Sequence, residues 1–194
     1  MWVAWYDFAD ATDSAGSYTL TPTGTPTFSG GPPSVVTYAT ADYHTNASLG
    51  SAWPSGDGDW TCVVRFKDAG INDYIFQNTA RHYIINGSGQ ITFRLGAGTV
   101  ANYVYSGSYS GAWITCILEH DTSENTTTLY FLNENGSTSQ TGVTGDWSTA
   151  SMQISESAGV ADIDFIAFGN RLLTADERLW FGDNSSEARE FVDL

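Results

Sequence analysis

Trp60-Thr61-Cys62-Val63-Val64-Arg65-Phe66-Lys67 puts Trp60, Cys62, Val64 and Phe66 on one side of an extended chain and Thr61, Val63, Arg65 and Lys67 on the other. That period of two marks a strand with one buried face. The alternation recurs along the chain. Ile91, Phe93 and Leu95 alternate with Thr92 and Arg94, and Ile114, Cys116 and Leu118 with Thr115, Ile117 and Glu119. Leu129 and Phe131 alternate with Thr128, Tyr130 and Leu132, and Ile163, Phe165 and Ala167 with Asp164, Ile166 and Phe168. Asn86-Gly87-Ser88-Gly89 lies between two such runs and predicts a tight hairpin, because Asn-Gly supplies the positive φ values that these turns require. Asn135-Gly136 and Asp68-Ala69-Gly70 mark further turns. Many short strands with regular turn signals predict an antiparallel sandwich. No repeat, linker or change of composition interrupts them, so residues 1–194 read as a single domain, a size all-β sandwiches reach without splitting.

One helix stands out from this pattern. Thr174-Ala175-Asp176-Glu177 is a capping box, in which Thr174 caps an amide and Glu177 reaches back. With Gly182 as a stop, it predicts a short helix over residues 175–181, with Leu179 and Trp180 placed to pack it on the sandwich. Asn184, with Glu187 three residues on, suggests a second short helix within 184–194.

Composition bounds the function. Hydrophobic residues make up 41% of the chain and aromatics 14%, ample for a sizeable core. Against 22 acidic residues stand 7 basic ones, giving a net charge of −15, and Lys67 is the only lysine. Such a surface repels nucleic acid and anionic membranes. It suits a protein dissolved in concentrated salt, where screening removes self-repulsion. An ordinary acidic extracellular domain is the alternative, and the scarcity of lysine favours the halophilic reading. Cys62 and Cys116 sit in apolar runs without metal-ligand spacing, which predicts two buried free thiols. Met1-Trp2-Val3-Ala4-Trp5-Tyr6-Asp7-Phe8 lacks the basic region, apolar region and cleavage site of a signal peptide. No apolar run approaches the ~18 residues of a membrane span, so no membrane insertion is expected.

The order of features resembles the laminin-G-like, concanavalin-A-like jelly roll of pentraxins, adhesins and viral proteins. The matching stretches are Trp5-Tyr6-Asp7-Phe8 with Asp13-Ser14-Ala15-Gly16, then Trp60 to Phe66, Gly111-Ala112-Trp113-Ile114-Thr115 and Thr128-Leu129-Tyr130-Phe131. The most specific is Ile163-Asp164-Phe165-Ile166-Ala167-Phe168 followed by Asn170-Arg171-Leu172-Leu173-Thr174-Ala175-Asp176-Glu177. The resemblance implies an all-β, two-sheet antiparallel jelly-roll sandwich. It does not fix function, since this fold hosts lectins, adhesion modules, hydrolases, lyases and assembly domains.

Side chains narrow the choice. Glucanase relatives of the fold carry a Glu-x-Asp-x-Glu run on one strand, and this chain has none. Asp162 and Asp164 have the period-two spacing of a glycosidase pair, but the resemblance puts Asp164 on the terminal strand, away from the catalytic face. Lyase motifs are absent, and His44, His82 and His120 accompany no nucleophile motif. No catalytic residues are assigned. For calcium, Asp7, Asp10, Asp13 and Gly16 fall at three-residue steps and Asp57-Gly58-Asp59 forms a second acidic turn. In the resemblance Asp164 occupies the position of a calcium-binding aspartate where the first and last strands meet, with carbonyls near the N-terminus. Solvated turn aspartates are the alternative.

Glycan recognition uses exposed aromatic faces flanked by polar groups. Trp53, Tyr103, Tyr105, Tyr109 and Trp147 are the candidates, with Arg81, His82 and Arg94 as polar companions. Each ring has an equally simple use in covering a sheet end or sealing an interface. The expected function is therefore a non-catalytic binding or adhesion module that recognises carbohydrate. Its expected setting is extracellular or a virion surface, as a capsid decoration, turret or fibre in a virus of a salt-adapted host. Its partners are then cell-surface glycans or neighbouring virion subunits, in a homo-oligomer or larger assembly. A structural assembly subunit without sugar binding is the alternative, and a polysaccharide hydrolase or lyase ranks below both.

Overall fold

The computed structural model describes residues 2–12, 18–29, 35–39, 41–49, 58–67, 73–78, 83–87, 90–95, 99–107, 109, 111–142, 151–155 and 161–183. The first strands are β1 (Trp2–Tyr6), β2 (Thr21–Thr23), β3 (Thr27–Phe28), β4 (Val36–Tyr38) and β5 (Tyr43–Asn46). There follow β6 (Trp60–Lys67), β7 (Asp73–Asn78), β8 (Tyr83–Gly87), β9 (Gln90–Leu95) and β10 (Thr99–Val104). The last are β11 (Trp113–Asp121), β12 (Thr126–Phe131), β13 (Gly136–Thr141), β14 (Met152–Ile154) and β15 (Ala161–Gly169). A 3-10 turn at Leu132–Glu134 joins β12 to β13, and the helix α1 spans Ala175–Asp183.

Among the described residues every pairing is antiparallel, and the strands form two sheets. The first runs β13-β12-β11-β6-β15-β4-β3, with β1 also on β15, and the second runs β10-β9-β8-β7-β14-β5-β2. The described residues form the expected antiparallel sandwich, with the short helix α1 after β15. In the sandwich interior Trp60, Cys62, Val64 and Phe66 of β6, the face that alternation assigned inward, meet Ile91 and Phe93 of β9 and Met152 and Ile154 of β14. In β15 the expected alternation breaks after Ile163, with Ile166 and Phe168 facing this core and Phe165 and Ala167 the opposite side. Cys62 and Cys116 are buried free thiols in this layer, and burial pushes both thiols up.

The first sheet is covered on its outer face as well, which is why β6 reads as a nearly continuous buried run. Trp5, Val63, Ile117, Phe165 and Ala167 form a second cluster there with Leu173 and Phe181, so α1 packs on the back of the sheet. Trp5 stacks on Phe165 with ring centroids 5.6 Å apart. The capping box forms as expected. The Glu177 amide donates to Thr174 Oγ1 at 3.2 Å and the Thr174 amide to Glu177 Oε2 at 2.7 Å. The helix passes through Gly182, the expected stop, and ends at Asp183.

Local irregularities place individual side chains. Phe66 pairs with Ile163 and Arg65 with Phe165, so Asp164 is an extra residue in β15. A bulge re-aims the side chain it carries, and here it turns Asp164 toward Arg65. Asn135 takes φ 50 at the turn into β13, the left-handed conformation for which Asn-Gly is suited. At Asn86-Gly87 both residues belong to the ladder, pairing with Ile91 and Gln90.

Candidate functional site

Tyr103, Tyr105 and Tyr109 come together, but as a seal between sheets. Tyr103 and Tyr105 lie on the inward side of the β10 end, while Asn102 and Val104 face out. Tyr103 stacks on Phe131 at 5.0 Å and Tyr105 does so at 5.4 Å, with Tyr109 edge-on to the same ring at 5.3 Å. Glu134 collects their polar ends: Tyr103 Oη donates to Oε2 and Tyr109 Oη to Oε1, each at 3.1 Å. Oε1 also accepts the Ser106 and Gly107 amides at 2.8 and 2.9 Å and the Ser106 hydroxyl at 3.0 Å. Desolvation pushes the Glu134 carboxyl up, but these donors outweigh it and hold the group below its usual range. Gly136 is required beside them, because a Cβ there would run into the Tyr103 phenol. Tyr105 is 8% exposed, so its expected use as a sugar-stacking platform is corrected: its ring faces the core, where β10 closes on β12. Trp53, Trp147, Arg81 and His82 lie outside the described residues, as does the tail 184–194, and only the backbone of Arg94 is described.

The expected calcium ligands are dispersed in their bonding. Asp164 is 1% exposed and accepts from the Arg65 guanidinium, which itself lies 4.9 Å over the Trp113 ring. Asp7 accepts the Ala9 amide at 3.0 Å, and Asp10 accepts the Thr12 amide at 2.7 Å and its hydroxyl at 2.5 Å. The hydroxyl bond leads in holding the Asp10 carboxyl low. Asp13 and Asp57 lie outside the described residues. Among the described residues no cluster of three or more acidic, His or Cys side chains is placed to hold a metal ion. The residues present do not fit a cation at Asp164, because an internal guanidinium already holds its carboxylate.

A different surface gathers chemistry on the outer face of the first sheet, beside α1. Register sets its rows: Ile117 pairs with Tyr130, Glu119 with Thr128, and Asp121 with Thr126. On the next strand Tyr130, Thr128 and Thr126 pair with Ser137, Ser139 and Thr141. Thr128 Oγ1 and Ser139 Oγ share a hydrogen bond of 2.9 Å. A cleft of about 430 Å³ opens here, lined by Asp121, Glu124, Thr126, Thr128, Tyr130 and Arg178 among others. A second cleft of about 350 Å³ shares Tyr130 and Arg178 and is lined beyond them by Leu132, Ala175, Leu179 and Gly182 together with Asn135, Gly136 and Ser137.

Arg178 is the saddle between the two. Its guanidinium lies 5.0 Å over the Tyr130 ring. Nη1 donates to Glu119 Oε2 at 2.9 Å and to the Leu173 carbonyl at 2.7 Å. Glu119, 4% exposed, also accepts the Leu173 amide at 2.7 Å and Thr61 Oγ1 at 3.4 Å. Burial pushes the Glu119 carboxyl up despite these donors. Arg171 holds Glu177 through two bonds of 2.5 and 2.8 Å, and its hydrogen bonding takes the Glu177 carboxyl down to about 2.

Glu119 and Asp121 stand at period-two spacing on one face, as a catalytic pair does. Their bonding is structural: Glu119 anchors α1, and Asp121 accepts Ser123 Oγ at 2.7 Å and the Glu124 amide at 3.1 Å. The Ser123 bond leads in holding Asp121 low. Asp162 accepts Thr37 Oγ1 at 2.7 Å and lies 3.9 Å from Lys67 Nζ, while Asp164 is buried against Arg65. The sequence reading missed this cleft. The available signal was the outward row Thr126, Thr128 and Tyr130, opposite Glu119 and Asp121.

No family model matches the chain, and no curated protein matches it in sequence. Solved structures do. The binding domain of botulinum neurotoxin serotype G aligns with TM-score 0.75 at 10% identity, over 97% of this chain and 52% of that one. The serotype D binding domain aligns with TM-score 0.73 at 12% identity, over 95% and 51%. Peanut lectin aligns with TM-score 0.53 at 13% identity, over 88% and 97%. The chain thus spans about half the length of the neurotoxin binding domains it matches. Among those domains, that of serotype DC is known in complex with SialylT, and cell entry of type C depends on interaction with two ganglioside molecules. At these identities the likeness shows the fold alone, an antiparallel two-sheet sandwich that peanut lectin also builds.

Proposed function

We propose that this chain is a non-catalytic carbohydrate-binding module and that its binding surface is the outer-face cleft beside α1. The observation that carries the reading is the lining of that cleft, where hydroxyls of Thr126 and Thr128 and carboxylates of Asp121 and Glu124 border the Tyr130 ring. Planar acceptors and hydroxyls beside an aromatic suit a saccharide, and the volume falls in the range of about 300–1,000 Å³ used by small-molecule sites. The fold is one that lectins use. Val104 and Leu179 are the large hydrophobics left exposed among the described residues, one on β10 and one on α1. Assembly through a symmetric apolar patch therefore has less support than sugar binding.

The test is a glycan array probed with the whole chain, followed by incubation of every retained glycan with the protein. Retention that is lost in Thr128→Val and Asp121→Asn, with no new reducing ends or unsaturated products, is the expected result. Retention of no glycan sinks the reading. Product formation that disappears in Glu119→Gln would replace it with an enzyme using Glu119 and Asp121.

A further inference from the structure

The two clefts on either side of Arg178 differ in kind. Asp121, Glu124, Thr126 and Thr128 make one side rich in acceptors. Across the saddle, Ala175, Arg178, Leu179 and Gly182 recur at the three- and four-residue spacing of one helix face, and Ala175 and Leu179 with Leu132 supply an apolar strip on that side, beside Asn135 and Ser137. Leu179 is 60% exposed on its rim, one of the large hydrophobics the fold leaves uncovered among the described residues. Arg178 is the cation both clefts share, but it is already bonded to Glu119 and stacked on Tyr130. Asp121 and Glu124 face the polar side, and the chain as a whole carries −15. An anionic ligand meets repulsion there, and among the described lining residues Arg178, already bonded, is the cation that faces it.

Resting on the carbohydrate reading, we propose that the ligand is an uncharged glycoside bearing an apolar substituent. Its hydroxyls lie over Asp121, Glu124, Thr126 and Thr128, and the substituent crosses Arg178 to lie against Leu132 and Leu179. Hydroxyls donate to the carboxylates that would repel an acid sugar. The apolar group removes the Leu179 side chain from water, and burial of even two methylenes is worth roughly tenfold in affinity.

Calorimetric titration of the whole chain with glucose, octyl β-glucoside below its micelle concentration, and octyl β-glucuronide tests this. Octyl β-glucoside is expected to bind at least about tenfold more tightly than glucose, and the glucuronide at least about tenfold more weakly than the glucoside. Leu179→Ser is expected to bring octyl β-glucoside close to glucose, and Leu179→Met to retain the difference. Equal affinity for glucose and its octyl glycoside, equal affinity for glucoside and glucuronide, indifference to Leu179→Ser, or no binding of the glucoside each overturns the proposal. The glycan array distinguishes the failures. If neutral glycans are retained there while the octyl increment is missing, this inference alone falls; if none is retained, the carbohydrate reading falls with it.

Discussion

Arg65 on β6 is paired with Asp164, the extra residue in the β15 bulge, and both side chains are buried. The pair occupies the carboxylate that the resemblance assigned to calcium. Removing one partner of a buried pair leaves an uncompensated charge and costs about 3–5 kcal/mol. Asp164→Ala is therefore expected to lower stability by that order in chemical denaturation. Addition of calcium or of chelator is expected to leave the melting temperature of the native chain where it was, because a ligand stabilises only a state that binds it. A chelator-dependent drop would show a cation at the acidic loops after all.

His44 gives the fold a pH dependence separate from that of the carboxylates. It is fully buried between the sheets, with Nδ1 2.7 Å from Tyr38 Oη and its ring 5.6 Å from Phe28. Nε2 has no hydrogen-bond partner among the described residues. Desolvation takes its pKa from 6.5 down to about 4. The unfolded chain thus takes up a proton that the folded chain refuses, and stability is lost as pH falls from about 6.5 to about 4. At about 1.4 kcal/mol for each pH unit, the loss totals roughly 3 kcal/mol. Glu119, pushed up by burial, acts in the opposite sense near the carboxylate range. Comparison with His44→Phe isolates the histidine: unfolding curves across pH 4 to 7 are expected to flatten in the variant, and an unchanged slope would refute the assignment.

Much of the fold was legible because period-two alternation and turn chemistry are local. β6, β11, β12 and β15 needed no knowledge of their neighbours, and the Thr174–Glu177 box announced α1. Three things were not local. The β15 bulge appears only when β6 is laid beside it, so nothing in the sequence tied Asp164 to Arg65. The second buried layer over Val63 and Ile117 depends on where α1 folds back. Tyr103 and Tyr105, two residues apart, share one side of the chain by period-two spacing, but which side faces the core is a question of sheet packing. The cleft was hidden for the same reason, since Tyr130 and Arg178 are 48 positions apart and meet through α1.

The tyrosine cluster allows a decision between sealing and binding. Tyr105 is buried on Phe131, so Tyr105→Ala is expected to cost about 3–5 kcal/mol, as large-to-small changes of buried aromatics do. Tyr103→Phe keeps the stack on Phe131 and removes only the hydroxyl that donates to Glu134, a loss of about 1 kcal/mol. A seal predicts that Tyr103→Phe weakens unfolding resistance slightly and leaves glycan retention on the array intact, whereas Thr128→Val abolishes retention with the fold preserved. A sugar platform at the β10 end predicts the reverse, with retention lost in Tyr103→Phe at nearly native stability. Because the phenols of Tyr103 and Tyr109 both converge on one carboxylate that already holds Ser106 and Gly107, the first outcome is the one expected.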